Sequence, residues 1–175
     1  MNISIENTAL FVVIAIALVM AGVLLIGRMR DKKLNESATK LGLSYNKEVP
    51  DLIETTFRGF EFFTRQKEGC YRTCKNIRRG IYEGKDILIF DYHWKGSPNS
   101  QSQTMIYQTI IAIPSKEETA FHLSDDYWEI ESKNGWALHS PTAHPNSGAS
   151  NYLISPAKIE TYLKAVIEKN NAQPG

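Results

Sequence analysis

Two residues on one stretch carry side chains that acid–base chemistry needs. Asp91 and His93 lie in Ile87 to Trp94 (ILIFDYHW), and an aspartate that orients a histidine is half of a nucleophilic triad. On a strand, i and i+2 neighbours share one face about 7 Å apart. The pair would therefore need a nucleophile and a further group from elsewhere, such as His144 in the irregular stretch Ser140 to Ser150. A membrane-bound hydrolase or transferase using Asp91 and His93 is the functional class these residues suggest. Against it, the chain has no G-x-S-x-G elbow, no H-E-x-x-H and no S-x-x-K set. The plainer role for Asp91 is to end the apolar part of a strand face and meet Arg78 or Arg79 on the strand before it.

Metal, redox and phosphate chemistry find less. Cys70 and Cys74 stand four apart with no second ligand pair at zinc-site spacing, and His139 and His144 are five apart in a stretch that suits neither a helix nor a strand face. Two cysteines make no disulfide framework, which fits a reducing compartment. No glycine-rich strand-to-helix loop offers a phosphate cradle, since Gly80 and Gly84 fall in an expected hairpin. No catalytic, cofactor-binding or metal-binding set is assigned, and the chain reads as a non-enzyme.

The elements that must position Asp91 and His93 are mostly strands. Alternation in Ile87 to Trp94 puts Ile87, Ile89, Asp91 and His93 on one face and Leu88, Phe90, Tyr92 and Trp94 on the other. Both faces begin apolar, so this is a central strand. Arg72 to Tyr82 precedes it across the turn Glu83-Gly84-Lys85-Asp86. Thr104 to Ile113 follows the polar loop Lys95 to Gln103 and pairs back antiparallel. Strand character is expected from Phe57 onward, through Phe60, Phe62 and Phe63, and again at Phe121 to Leu123. Trp128 to Ser132 and Trp136 to Ser140 flank Asn134-Gly135, a strong hairpin signal. Asp51 can cap a short helical turn after Pro50. The last element is a helix with Ser155 as N-cap, Pro156 at N1, and an apolar stripe of Ile159, Tyr162, Leu163, Val166 and Ile167.

All of this hangs from Ala9 to Ile26 (ALFVVIAIALVMAGVLLI), eighteen apolar or small residues without a charge, amide or hydroxyl. At about 1.5 Å per residue such a helix nearly crosses a ~30 Å hydrocarbon core. The preceding MNISIENT has no Lys or Arg and no clean A-x-A pattern follows the run, so a retained transmembrane helix is expected rather than a cleaved signal peptide. Ala17 with Ala21 is a weak small-residue pair, and no G-x-x-x-G face is present. Arg28, Arg30, Lys32 and Lys33 follow the run at once, and by the positive-inside rule they place the N-terminus outside and the domain in the cytoplasm. Leu34, Ala38 and Leu41 fall at helical spacing with Gly42 as the C-terminal glycine, so the membrane helix can continue directly to Leu41.

The net charge of +1 conceals an arrangement. Without the four flanking cations, 16 basic and 17 acidic side chains remain from Leu34 onward, a balance that gives no reason to expect nucleic acid as a partner. Arg65, Lys67, Arg72, Lys75, Arg78 and Arg79 oppose only Glu68, while Glu117, Glu118, Asp125, Asp126, Glu129 and Glu131 oppose Lys116 and Lys133 further on. Either the basic segment faces anionic headgroups together with Arg28, Arg30, Lys32 and Lys33, or the two segments pair within the domain.

Ile77 to Ile113 carries an R-G-x-Y-E-G-K turn (Arg79 to Lys85), an apolar strand ending Phe90-Asp91-Tyr92, a Gly/Ser/Asn loop and a Y-Q-T strand at Tyr107 to Thr109. This resembles a group of uncharacterised bacterial single-span membrane proteins that place a small α+β domain after a membrane helix. Trp136 and the Pro156 to Val166 helix match that group's C-terminal part. The resemblance implies location and fold and brings no activity with it. The expected layout is an extracytoplasmic 1–8, a transmembrane helix 9–27, a basic juxtamembrane helix 28–42, an α+β domain 43–170 and a disordered tail 171–175. That domain is a mostly antiparallel sheet closed by a C-terminal helix, with a pleckstrin-homology-like barrel as an analogy. The partners implied are the bilayer, anionic headgroups and a protein in the membrane. The function implied is anchoring an interaction or scaffold domain at the inner (plasma) membrane.

Overall fold

The computed structural model describes residues 5–45, 52–64, 72–95, 105–142 and 151–172. Helix α1, Ile5–Lys40, is one unbroken helix of 36 residues, roughly 54 Å long at the usual rise. The apolar run and the basic flank are therefore one rod, and Gly27 interrupts nothing. It ends as the sequence suggested: Gly42 takes φ +76° and its N–H donates to the Thr39 carbonyl at 3.0 Å, a left-handed glycine stop.

The sheet follows the order β1-β2-β3-β4-β7-β6-β5. Its strands are β1 (Leu43–Tyr45), β2 (Arg72–Tyr82), β3 (Lys85–Lys95), β4 (Met105–Pro114), β5 (Thr119–Leu123), β6 (Trp128–Lys133) and β7 (Trp136–Pro141). Every neighbour on this path is antiparallel. A two-residue β8, Asn151–Tyr152, lies parallel to β4 off the path. The two tight hairpins carry positive φ at both central residues, Glu83 and Gly84 in one and Asn134 and Gly135 in the other. That is the turn geometry which matches strand twist.

Each face of the sheet has its own core. Leu34 and Ala38 of α1 pack with Ile87, Ile89, Ile111 and Ile113, joined by Ile159, Leu163 and Val166 of α4 (Ile159–Ala172). On the other face Leu88, Phe90, Tyr92 and Trp94 meet Phe57, Phe60, Phe62 and Phe63. The alternation read from β3 thus holds on both sides, and β3 is interior to the sheet. The α+β expectation holds as well. The barrel analogy does not extend to closure: a barrel has one interior, whereas this sheet is buried on both faces.

Three local expectations are corrected. The stretch from Phe57 to Phe63 forms no strand; it turns from α2 (Leu52–Thr55) into α3 (Glu61–Thr64). The aromatics at 57, 60 and 63 are spaced three apart, which turns one side of a helical bend inward and cannot alternate as a strand. Glu131 secures that bend, its two carboxylate oxygens accepting the backbone N–H groups of Glu61 at 2.7 Å and Phe62 at 2.9 Å, a charge placed at a helix start. At the C-terminal helix, Ser155 occupies the cap position but its hydroxyl makes no capping bond. A 3-10 turn, Pro156–Lys158, leads into α4 instead, and α4 runs to Ala172, into the expected tail.

Where α1 stops, the chain crosses β2 closely. A Cβ on Gly80 would stand 2.3 Å from the Gly42 carbonyl oxygen and 3.0 Å from the Leu43 Cα, both backbone atoms that cannot swing away. Gly80→Ala is expected to destabilise the domain by ~2 kcal/mol, the scale of an overpacked site, measured as a fall in denaturant midpoint at unchanged slope.

Candidate functional site

Asp91 is 1% exposed in the middle of β3, and an ionised carboxylate there needs donors on every side. It has four. Arg30 of α1 donates through Nη1 to Oδ2 at 2.8 Å and through Nη2 to Oδ1 at 3.3 Å. Asn76 Nδ2 reaches Oδ2 at 2.9 Å and the Thr109 hydroxyl reaches Oδ1 at 2.7 Å. These four donors match the roughly four lone-pair sites of a carboxylate.

Local backbone features aim each donor. Thr109 stands directly opposite Asp91 in the β3–β4 ladder. Asn76 is delivered by a bulge: between the pairs Lys75↔Asp91 and Arg78↔Ile89, β2 carries one residue more than β3. Asn76 takes φ +54° there, a left-handed conformation that asparagine tolerates. Such a bulge re-aims a side chain. Asn76 Nδ2 also donates to Asp31 Oδ1 at 3.0 Å. The segment after β8 joins in, since the Ile154 N–H donates to Thr109 Oγ1 at 3.0 Å and Arg30 Nη2 to the Ile154 carbonyl at 3.4 Å. One carboxylate thus ties together α1, β2, β3, β4 and the approach to α4.

Beside this clamp, Arg78 is 1% exposed. It donates to the Asn76 carbonyl at 2.5 Å and to Asn35 Oδ1 at 3.2 Å, and its guanidinium lies 5.4 Å from the Tyr45 ring centre. Burial lowers its pKa, and Asp91 and Asp31 work in the opposite direction. The expected pairing of Asp91 with Arg78 or Arg79 is therefore corrected. Arg30 holds Asp91, and Arg79 instead forks onto Asp86 at 3.1 and 2.6 Å. Nor do the basic and acidic segments pair with each other among the described residues, outside which Arg65, Lys67 and Glu68 lie. Arg72 donates to the Phe63 carbonyl, Asp126 pairs with Lys169 at 2.6 Å, Glu129 accepts from Gln108, and Glu131 caps α3.

Of the four cations after the apolar run, Arg28, Lys32 and Lys33 are exposed. Arg30 is turned inward, its side chain 23% accessible against 2% for Asp91. The sequence carried a signal for this: Arg30, Leu34, Ala38 and Leu41 follow one helical stripe, and a lone carboxylate on an apolar strand face calls for a cation. The bulge that delivers Asn76 left no such trace.

The acid–base reading does not assemble. No hydrogen bond joins Asp91 to His93, whose ring packs edge-on against Tyr107 with centroids 4.7 Å apart. Burial lowers the His93 pKa and Asp91 partly offsets it. His144 and Cys70 lie outside the described residues. Cys74 is a free thiol that burial pushes up to about 12, too high for a thiolate nucleophile. Among the described residues no three His, Cys, Asp or Glu side chains gather as a metal would require.

His139, expected in an irregular stretch, instead lies in β7 between Ile111 and Ile130 and is a separate buried group. It is 1% exposed, neither ring nitrogen has a hydrogen-bond partner among the described residues, and Trp128 meets it edge-on at 6.5 Å. Burial lowers its pKa from 6.5 to about 4, with Lys169 and His122 adding repulsion. The unfolded chain therefore binds this proton at a higher pH than the folded one. Between pH 6.5 and about 4, the His139 contribution falls as pH falls, with a slope approaching ~1.4 kcal/mol per pH unit. Denaturation midpoints taken across that window should show the slope in the wild-type chain. In His139→Leu the slope should be smaller by about one proton.

At the other end of α1, the residues from Leu10 to Met29 leave their large apolar side chains in the open. The window of mean hydropathy 3.0 is 0% buried. A helix of this length and composition fits a single-pass membrane anchor and a membrane location. Comparison with protein-family models, with curated proteins and with solved structures finds no match for this chain.

Proposed function

We propose that the protein holds an interaction or scaffold domain against the cytoplasmic face of the inner (plasma) membrane, with its N-terminus outside. The observation that carries this reading is the union of anchor and domain. The apolar segment and the residues that enter the core, Arg30, Leu34 and Ala38, belong to one continuous helix. Only Gly27, Arg28 and Met29 separate Ile26 from Arg30, about 6 Å of helix from Ile26 to Arg30. The domain is thus carried on a stiff post rather than a linker. Orientation rests on Arg28, Lys32 and Lys33 standing on the domain side of the span, and these exposed cations also suit anionic headgroups. A non-enzymatic role is supported by Asp91, the best catalytic candidate of the sequence, having all its acceptor sites occupied.

The test is a pair of C-terminal fusions combined with carbonate washing of membranes. A reporter active only in the cytoplasm should work and one active only outside should not, with the protein staying in the pellet. The opposite reporter pattern reverses the orientation, and release by carbonate removes the anchor. Crosslinking in intact membranes before detergent extraction should recover a specific membrane protein. Recovery of the chain alone counts against the scaffold reading.

A further inference from the structure

The fixed angle between α1 and the sheet says which part of the domain the anchor presses toward the bilayer. Arg30 meets Asp91, Asp31 meets Asn76, Asn35 meets Arg78, and Gly42 lies against Gly80. Moving toward the C-terminus of α1 therefore means moving toward the C-terminal end of β2, and toward the start of β3. Followed the other way, into the apolar segment, α1 leads to the opposite end of the sheet. That end is formed by the start of β2 (Arg72), the end of β3 (Lys95) and the start of β4 (Met105).

Lengths decide how near these strand ends come. Ile26 lies four residues before Arg30, about 6 Å along the helix. Arg72 is four residues before Asn76 and Lys95 four after Asp91, about 13 Å along a strand. The strand ends thus reach the level where the apolar segment stops and pass it by several Å. The headgroup layer is itself roughly 5–8 Å thick on each side, so an upright α1 carries this end of the sheet through that layer to its border with the acyl chains.

Its composition suits that position. The β2–β4 residues beyond the clamp are Arg72 to Lys75, Tyr92 to Lys95 and Met105 to Gln108, without one carboxylate. Glu83 and Asp86 are at the far end, beside the β2–β3 turn, and the carboxylates that touch this end, Glu129 and Asp31, accept hydrogen bonds from Gln108 and Asn76. Lys75 is exposed, and His93, Ile106 and Tyr107 are half-buried. Cations mixed with aromatic and aliphatic side chains are the chemistry of a membrane interface.

The geometry points to this end of β2–β4 as a second membrane contact, one that takes the anionic phospholipid headgroups of the bilayer that α1 crosses. The inference rests on α1 spanning that bilayer. The contact would fix the tilt of the domain and make its footing depend on lipid charge, with Lys75 adding to Arg28, Lys32 and Lys33 from a different element.

The experiment uses the full chain in nanodiscs of phosphatidylcholine, alone or mixed with phosphatidylglycerol, doped with a headgroup nitroxide lipid. In a Cys70→Ser/Cys74→Ala background that retains the wild-type melting profile, a fluorophore is attached through Thr73→Cys. A second preparation carries it through Ile81→Cys, roughly 26 Å further along β2. Quenching at 73 should exceed that at 81 several-fold in the mixed discs and less so in phosphatidylcholine alone. Lys75→Glu should remove most of the added effect of phosphatidylglycerol. Equal quenching at 73 and 81 overturns the contact, and quenching indifferent to phosphatidylglycerol overturns its preference for anionic lipid. If the chain fails to enter discs at all, the spanning helix is wrong and the inference goes with it.

Discussion

Replacing Arg30 with alanine is expected to cost about 4 kcal/mol of domain stability, more than any other single change to a charged side chain here. The reason is the group left behind. Asp91 has 2% of its side chain accessible and would keep Asn76 and Thr109 but lose its cation, and an uncompensated buried charge costs ~3–5 kcal/mol. Arg30→Lys should recover only part of the loss, because an ammonium supplies charge without the two-pronged fork that spans both oxygens. Removing both partners separates pairing from packing. Arg30→Met with Asp91→Leu replaces ions by apolar side chains of similar length, and such swaps are often close to neutral. The double variant should therefore be more stable than Arg30→Ala alone. Urea denaturation of the four proteins as residues 28–175 gives the comparison directly. A loss under 1 kcal/mol for Arg30→Ala would show that the clamp does not hold the helix.

The residues of this clamp were unevenly legible from sequence, for physical reasons. Asp91 announced itself, since a carboxylate on an apolar strand face must find donors. Local patterning also gave β3, both tight hairpins, the stripe of α4 and the glycine stop at Gly42, because each depends on side chains within a few residues of one another. The partner of Asp91 did not follow from such rules. Arg78 and Arg79 were near in sequence, but the register places Arg79 beside Asp86, and the bulge at Asn76 shifts strand parity so that Lys75 and Arg78, three apart, share a face. Arg30 is 61 residues away from Asp91 and sits in a basic cluster that, by sequence alone, reads as the flank of a membrane span. Its place on the stripe of Leu34, Ala38 and Leu41 sets it apart from Arg28, Lys32 and Lys33, but that stripe names Asp91 as its partner only once α1 docks on the sheet. The Phe57 to Phe63 stretch misled for a related reason: aromatic richness suggests strands, while the spacing of three favours a helical bend.

Two truncations should bracket how deeply the anchor helix belongs to the domain. A chain beginning at Arg28 loses the exposed apolar residues Leu10 to Ile26 and keeps Arg30, Leu34, Ala38 and Gly42. It should be a soluble protein with a cooperative thermal transition. A chain beginning at Gly42 lacks only fourteen residues more, yet it removes Leu34 at 2% exposure and Ala38 at 0% from the core and takes the cation from Asp91. Losing a buried leucine costs ~3 kcal/mol with its cavity, and orphaning the carboxylate costs a similar amount. Together these approach the whole stability of an ordinary domain, ~5–15 kcal/mol. They also uncover the face of Ile87, Ile89, Ile111 and Ile113, a row of β-branched side chains prone to association. The shorter chain should therefore aggregate, or show no cooperative transition by circular dichroism. If both chains melt within a few degrees of each other, α1 is a detachable tether and the domain can tilt freely on the membrane. If only the longer one folds, the last three turns of α1 are part of the domain. The orientation of the sheet at the bilayer is then set by a helix that cannot turn without opening the core.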